Sequence, residues 1–400
     1  MRACFTINPL KKEMLFPLAT MIIQLFVRPL LSLINQKVLQ KKDDAFLLAN
    51  SLFRTFCMYI AETLTLTFFF IQRKNTIRIN THGLEIIPGS QKQKIQSLII
   101  IFILACVDFL ASLGIHYIRN NAILDLIDLA KRSISLIVAT LLSILILHYS
   151  YYRHHWLGLI LISFGNLIYV IPELPNSVNI SLNVSWYTLI FTILTAYLSE
   201  AGIEVFEKYL MDVNFVSPFT VLGLQGVSGL FINVFLVIFI IIFPDLIGIN
   251  LTIFKVYFSY LINEGKCVLI MYMLYIVTNM GYNSFRVLTV QHFYPTYLGL
   301  NGILSNFFFW IANIIITASS SQQLNTSTIL VQTVAHLIMI IGIVIYLEII
   351  QLNFCKLNEY TATSIASRSI SYYVKHVNGI DMAFQQEESG EEIITKQQDI

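Results

Sequence analysis

Apolar runs of about 20 residues recur along the whole chain, and they restrict its fold more than any other feature. A run of this length is what an α-helix needs to cross a hydrocarbon core ~30 Å thick. Only 12% of the residues are charged, whereas a soluble domain carries about 25%. The period-two alternation of barrel strands is absent from the sequence. The sequence therefore predicts an all-α polytopic membrane protein, with the lipid bilayer as its main partner.

Ten stretches have the length and composition of membrane-spanning helices. They cover residues 14–35, 46–71, 96–117, 123–147, 154–172, 186–208, 217–243, 267–290, 295–318 and 328–351. The predicted organisation is a cytosolic N-terminus (1–13), a first five-helix repeat (14–172), a lumenal loop (173–185), a second five-helix repeat (186–351) and a disordered cytosolic tail (352–400).

Basic residues and glycosylation sequons give the same orientation for these stretches. An even number of spans places both termini on one side, and most of the Lys and Arg residues between spans fall on that side. The positive-inside rule assigns it to the cytosol. The N-x-S/T sequons fall in loops on the opposite side and are glycosylation candidates: Asn179, Asn183, Asn250 and Asn325.

Each block of five spans ends with the same pattern of small residues. Two small residues lie seven apart and a tyrosine follows four residues later: Gly158, Gly165 and Tyr169 in one block, and Ala335, Gly342 and Tyr346 in the other. Small residues on one face let two helices approach closely, within one chain or across a homodimer. Because a block of five spans reverses direction, the pattern predicts two inverted repeats, the usual build of secondary transporters.

The stretch 123–147 carries Asp125, Asp128, Lys131 and Arg132 in its first half. An ionisable group at bilayer depth costs roughly 2.5–3.5 kcal/mol on insertion scales. Asp125, Asp128 and Arg132 share one helix face, which therefore cannot face lipid. That face can line a water-filled cavity, as a transporter requires, or Asp128 and Arg132 can form a structural ion pair. Both interpretations stay open.

Basic residues in several spans suggest a cavity that selects anions, since Arg and Lys bind phosphate or carboxylate. They are Arg28, Arg54, Lys131, Arg132 and Arg286. The alternative is that each one pairs with an intramembrane carboxylate. The carboxylates available for this are Glu62, Asp108, Asp128 and Glu200.

The acidic residues also suggest proton exchange. Asp108 is the single carboxylate of the third stretch and is a candidate proton carrier. Glu200, Glu204 and Glu207 form one stripe of the sixth stretch, where like charges repel. Glu200 is a candidate site residue, whereas Glu207 and Lys208 are expected to be solvated at the interface, with Lys208 able to pair with Glu204.

One amide and several histidines of the spans also have expected roles. Asn301 is a candidate for substrate contact, because Gly299 and Gly302 let a ligand approach the backbone of the ninth stretch. His336 is expected to be a packing histidine with satisfied hydrogen bonds. The histidines around the turn after the fourth stretch are expected to be interfacial: His148, His154 and His155.

Several short segments resemble one transporter superfamily. These are Leu126 to Ser133, His155-Trp156-Leu157-Gly158, Glu207-Lys208, Ser217-Pro218 and Gly223-x-x-Gly226. The chain resembles the drug/metabolite transporter superfamily and is most similar to the F-type members of solute carrier family 35. The resemblance implies ten helices in two inverted halves, alternating access, and a nucleotide sugar or another small anionic metabolite as substrate. The ninth stretch lacks the lysine of the GDP-mannose carriers, which argues against that substrate.

The motifs of other function classes are absent from the sequence. It has no phosphate-binding loop, no HExxH motif and no cysteine spacing typical of a metal site. The net charge of +2 is too small to indicate nucleic-acid binding. The prediction is a secondary transporter of a small polar or anionic metabolite in a Golgi, endosomal or lysosomal membrane, not an enzyme, with no cofactor. A receptor or scaffold without transport and a channel remain the alternatives.

Overall fold

The computed structural model describes residues 15–39, 44–71, 91–118, 124–173, 186–243, 252–263, 265–319 and 326–349. Within these ranges the chain is helical and forms no strand. The α-helices are α1 (Leu15–Leu39), α2 (Asp44–Leu64), α3 (Gln91–Ile118), α4 (Leu124–Leu147), α5 (Arg153–Val170), α6 (Trp186–Asp212), α7 (Pro218–Ile242), α8 (Thr252–Asn263), α9 (Lys266–His292), α10 (Thr296–Ser319) and α11 (Thr326–Tyr346). After a turn at Thr65, residues 66–71 are helical again.

A helix covers each of the ten predicted stretches, within a few residues at each end. The exception to the sequence prediction is α8, which occupies a segment expected to be a loop. Its 12 residues are too few for the length criterion of a span. It forms because Tyr257 and Leu261, one turn apart, are buried against a core that includes Val27 and Cys57.

Among the described residues, four helical segments are long and apolar enough to cross a membrane: Leu48–Ile71, Gln91–Ser112, Pro218–Ile242 and Thr326–Tyr346. Lys255–Asn263 and Lys266–His292, bent by 95° at the break between them, form a fifth candidate span. The helix α3 exposes large apolar side chains such as Leu98, Phe102 and Leu110, which suit a lipid environment. The described part of the chain is therefore all-helical, and its long apolar helices indicate a membrane-embedded protein.

The chain divides into two compact units, formed by 1–150 with 162–340 and by 151–161 with 341–400. In the first unit, α2 and α9 are central. The helix α2 packs against α3, α7, α8 and α9, and α9 also packs against α1, α6, α7 and α10. The side chains that α2 and α9 direct inward therefore lie at the centre of this unit.

A stripe of three glycines brings α7 close to α2. A Cβ atom added to Gly226 would lie 2.6 Å from the backbone nitrogen of Thr63 and 2.7 Å from Cβ of Glu62. Gly223 and Gly229 approach Leu66 and Tyr59 in the same way. Because nothing larger than hydrogen fits at Gly226, α7 supports the backbone of α2 at Glu62.

Small residues also pack helix against helix within the chain, as the sequence predicts. In the second unit, a Cβ atom on Gly158 would lie 2.7 Å from the carbonyl oxygen of Gly342. In the first unit, a Cβ atom on Gly165 would lie 2.8 Å from the carbonyl oxygen of Ala335. These faces are therefore covered inside one chain, and the predicted homodimer would need another surface.

Candidate functional site

Four ionisable side chains from four different helices meet in the interior of the first unit, and we call them the buried charged centre. Glu62 of α2 and Glu207 of α6 are buried, and Asp108 of α3 and Arg286 of α9 are half-buried. Glu62 interacts electrostatically with the other three, and Asp108 interacts with Arg286 and Glu207. Three of the intramembrane residues expected at a site therefore lie together: Glu62, Asp108 and Arg286.

An ion pair joins α6 to α9 in this centre. Arg286 Nη2 donates to Glu207 Oε1 at 2.7 Å, and Glu207 is 0% exposed. The expectation that Glu207 and Lys208 are solvated at the interface is wrong, because the α6 face that carries them packs inward. Lys208 is also buried and contacts Asp212 at 3.4 Å, one turn along its own helix, while donating to the carbonyl of Gln291.

The hydrogen bond to Glu62 is longer than the one to Glu207. Asn283 Nδ2 of α9 donates to Glu62 Oε1 at 3.3 Å, a long hydrogen bond, and Glu62 is only 5% exposed. Glu62 Oε2 is buried and has no hydrogen-bond partner among the described residues. The same holds for Nδ2 of Asn279, one turn from Asn283 on α9. Buried polar atoms in this condition require a water molecule, a proton or a ligand.

Asp108 has one neutral partner from α2. The hydroxyl of Tyr59 donates to Asp108 Oδ2 at 3.0 Å, and the ring of Tyr59 is fully buried. Asp108 also interacts electrostatically with Glu200 of α6, another candidate from the sequence. A proton carrier at Asp108 would therefore belong to a group of carboxyl groups.

Carboxyl groups outnumber guanidinium groups in this centre. Glu62, Asp108 and Glu207 interact with Arg286, which also interacts with Glu204. The described side chains thus form an acid-rich centre, whereas the sequence suggested a cavity lined mainly by basic residues. Such a centre can hold protons or hydrogen-bond a polar ligand.

Arg54 lies in a separate group, which we call the tyrosine cluster: Asn50, Arg54, Tyr257, Tyr272 and Tyr275. Arg54 hydrogen-bonds to Tyr275 and interacts electrostatically with Tyr272. The hydroxyls of Tyr257 and Tyr272 donate to Asn50 Oδ1 at 3.0 and 2.6 Å. The side chain of Arg54 is therefore engaged in holding α2 against α9, while Asn50 joins α2 to both α8 and α9.

Asn301 and His336 also have partners in the structure. Asn301 Nδ2 donates to the carbonyl of Pro17 at 2.8 Å, which ties α10 to the first turn of α1. His336 is buried, lies 2.8 Å from the carbonyl of Gln332 through Nδ1, and stacks on Trp310. The prediction of a packing histidine is confirmed at His336.

The histidines near the turn after α4 differ from one another. His148 is exposed, whereas His154 is 4% exposed and lies 2.9 Å from Glu348 within the second unit. The end of α11 therefore covers His154, while the interfacial position of the three histidines stays a prediction.

Several predicted residues lie outside the described part. The backbones of Arg28, Asp125, Asp128, Lys131 and Arg132 are helical, but their side chains are outside the description. The asparagines of the sequons also lie outside the described ranges: Asn179, Asn183, Asn250 and Asn325.

The sequence did not predict Tyr59, Glu207 and Asn283 as members of the centre. One signal for Asn283 was available: Asn279, Asn283 and Arg286 follow one another at i, i+4 and i+7, so they share one face of α9. No comparable spacing links Tyr59 to Asp108, since they are 49 residues apart.

No protein-family model matches the chain, and no curated protein matches it significantly.

Proposed function

We propose that this protein is a secondary transporter that moves a small polar or anionic metabolite, similar to a nucleotide sugar, by alternating access. The observation that carries the proposal is an acid-rich, incompletely hydrogen-bonded centre inside a bundle of apolar helices. In this proposal ten helices span an endomembrane such as that of the Golgi, endosome or lysosome, and both termini are cytosolic.

The carboxyl groups of the charged centre are costly to bury. A carboxyl group at bilayer depth is stable only when it is protonated, paired or hydrated. Glu207 is paired with Arg286, but the same guanidinium cannot also neutralise Glu62 and Asp108. In the proposal their protons, or a ligand in their place, exchange with water, which gives the centre a role in binding or coupling.

The helix contacts support two structural repeats. The proposed repeats pair α1 with α6, α2 with α7, α3 with α9, α4 with α10 and α5 with α11. When each helix is replaced by its counterpart, the contact of α1 with α9 becomes the contact of α6 with α3, which the structure also contains. In the same way, the α4–α6 contact corresponds to α10–α1, the α3–α7 contact to α9–α2, and the α2–α3 contact to α7–α9. All six of these contacts are present in the structure. The contacts of α2 with α7 and of α4 with α10 map onto themselves. Most contacts among these helices follow this exchange, as expected if two halves are related by pseudo-two-fold symmetry.

The buried charged centre then has contributions from both repeats. Glu62 and Asp108 come from the first, and Glu207 and Arg286 come from the second. Substrate and coupling sites of inverted-repeat transporters lie between their halves. A movement of one half against the other would change the hydrogen bond of Asn283 to Glu62, which joins the two halves, whereas the Arg286–Glu207 pair lies within the second half.

The choice of substrate rests on α4. This helix packs against α6 and α10, and its first turns carry Asp128, Lys131 and Arg132. In the proposal the two basic groups select a phosphate or carboxylate of the substrate, and the carboxyl groups of the centre carry the coupling proton.

A thermal-stability screen of the purified full-length protein tests the proposal first. The probes are nucleotide sugars, nucleotides, amino acids and thiamine-like cations. A ligand of the folded state at a concentration of 100 times its Kd stabilises that state by about 2.7 kcal/mol. The ligand that raises Tm most is then offered to proteoliposomes, where uptake should saturate.

The matched variants in that uptake assay are Glu62→Gln and Gly202→Ala. Glu62→Gln keeps the shape but removes the charge, and should lower uptake roughly 10-fold or more. Gly202→Ala should leave uptake unchanged, because nothing lies within 4 Å of an added Cβ atom. Flux that does not saturate would favour a channel, and the absence of both ligand and flux would favour a scaffold; either result would overturn the proposal.

A further inference from the structure

The second unit contains a group of side chains that the proposed transport does not use. His154 and His155 lie in the first turn of α5, and Glu348 follows the last turn of α11. One ligand atom from each of the three lies within 4.8 Å of the others. Two imidazoles and a carboxylate are a ligand set that Zn²⁺ and related divalent ions take in proteins.

His154 is nearly completely buried and poorly satisfied. Its Nε2 lies 2.9 Å from Glu348 Oε1, but neither ring nitrogen makes a hydrogen bond of acceptable geometry within the described ranges. The ring of His155 lies against that of His154, with centroids 4.1 Å apart. The two rings and the carboxylate therefore lie close enough together for one ion to contact all three.

Glu348 occupies a backbone position that is unfavourable for an acidic residue. The N–H groups of Glu348 and Ile349 donate to the carbonyls of Ile345 and Val344, which is the Schellman pattern of a helix end. Glu348 is its left-handed residue, with φ 57°, where glycine is the usual choice. Its carboxylate also lies at the negative end of the α11 dipole, so a cation beside it would be stabilising.

The three groups can act together on one cation. A metal ion binds an imidazole in its neutral form, and a single ion would use both imidazoles and the carboxylate at once.

We propose that His154, His155 and Glu348 bind one divalent transition-metal ion, with Zn²⁺ as the chemical prototype. Three protein ligands leave one position of a tetrahedral ion for water. The backbone N–H of Tyr152 donates to His155 Nδ1 at 3.1 Å, and metal binding replaces this hydrogen bond, since Nδ1 must then bind the ion or carry the proton. The ion clamps the start of α5 to the end of α11, where Gly158 contacts Gly342.

The test measures Zn²⁺ bound to the full-length protein in detergent, after removal of metal with a chelator and dialysis against Zn²⁺. The wild-type chain should retain about one Zn²⁺ ion. The variants His154→Ala and Glu348→Gln should retain roughly 10-fold less. The control His292→Gln changes an exposed histidine in the first unit and should retain the full amount.

A second readout does not depend on stoichiometry. Co²⁺ in place of Zn²⁺ should give the visible absorption of a tetrahedral site with nitrogen and oxygen ligands, and Glu348→Gln should abolish it. Size-exclusion chromatography checks that Glu348→Gln is folded, so this variant decides the matter if His154→Ala is not. A wild-type chain without stoichiometric Zn²⁺, or a folded Glu348→Gln variant that retains it, would overturn the proposal.

Discussion

The tyrosine cluster and the buried charged centre are built largely from the same two helices, α2 and α9, yet they hold their arginines differently. Arg54 in the first is surrounded by the neutral side chains of Tyr272 and Tyr275. Arg286 in the second contacts a buried carboxylate and interacts with further acidic groups. The two sites lie two turns apart along α2, at Arg54 and Glu62.

From this difference we expect the helix pair to be rigid at the tyrosine cluster and open to exchange at the charged centre. In the tyrosine cluster, two hydroxyls satisfy one amide oxygen of Asn50, and such neutral networks fix a packing arrangement. Buried polar atoms without a hydrogen bond occur in both sites of the described part: Arg54 Nε in the tyrosine cluster, and Glu62 Oε2 and Glu207 Oε2 in the charged centre. In the charged centre these atoms belong to carboxyl groups that lie near one another. Partly satisfied charge is costly, and a bundle retains it where function requires it.

The largest expected effect comes from breaking the ion pair of the charged centre. Arg286→Met should destabilise the protein by about 3–5 kcal/mol, because Glu207 would be left buried without its partner. The double variant Arg286→Met with Glu207→Leu should recover much of that loss. Denaturant unfolding in micelles measures both, and equal stability of Arg286→Met and wild type would show that the pair does not form.

A smaller effect is expected from disturbing the support of Glu62. Gly226→Ala places a Cβ atom 2.6 Å from the backbone of α2, and should cost about 1–3 kcal/mol through overpacking. The control Gly202→Ala lies in open space on α6 and should be neutral or slightly stabilising. If both variants unfold alike, α7 does not pack closely against α2 at Glu62.

The smallest effect separates the two regions most cleanly. Tyr272→Phe removes one hydrogen bond to Asn50 and should cost about 1 kcal/mol in stability. Uptake of the stabilising ligand should stay within about twofold of wild type, since 1 kcal/mol in stability leaves the chain folded. A large loss of uptake in a well-folded Tyr272→Phe variant would place the tyrosine cluster in the transport path.

The sequence was sufficient to locate helices over all ten predicted stretches, because the length of an apolar run is a local property. It missed α8, whose burial of Tyr257 and Leu261 depends on a tertiary contact. Glu62, Asp108 and Arg286 could be predicted as site residues from their depth in apolar runs. The partner of Arg286 could not, because Glu207 lies 79 residues away, and only the packing of α6 against α9 brings them together.

In this account, water reaches the buried charged centre from one face of the membrane at a time. Water access at position 279 can be measured with Asn279→Cys in a chain whose five native cysteines are replaced by alanine. A membrane-impermeant thiol reagent should label this position from either face, with the stabilising ligand protecting it, whereas Ala201→Cys in the dry core should stay unlabelled. Labelling of neither cysteine from either face, with full labelling of both after denaturation, would show a dry bundle and contradict the account.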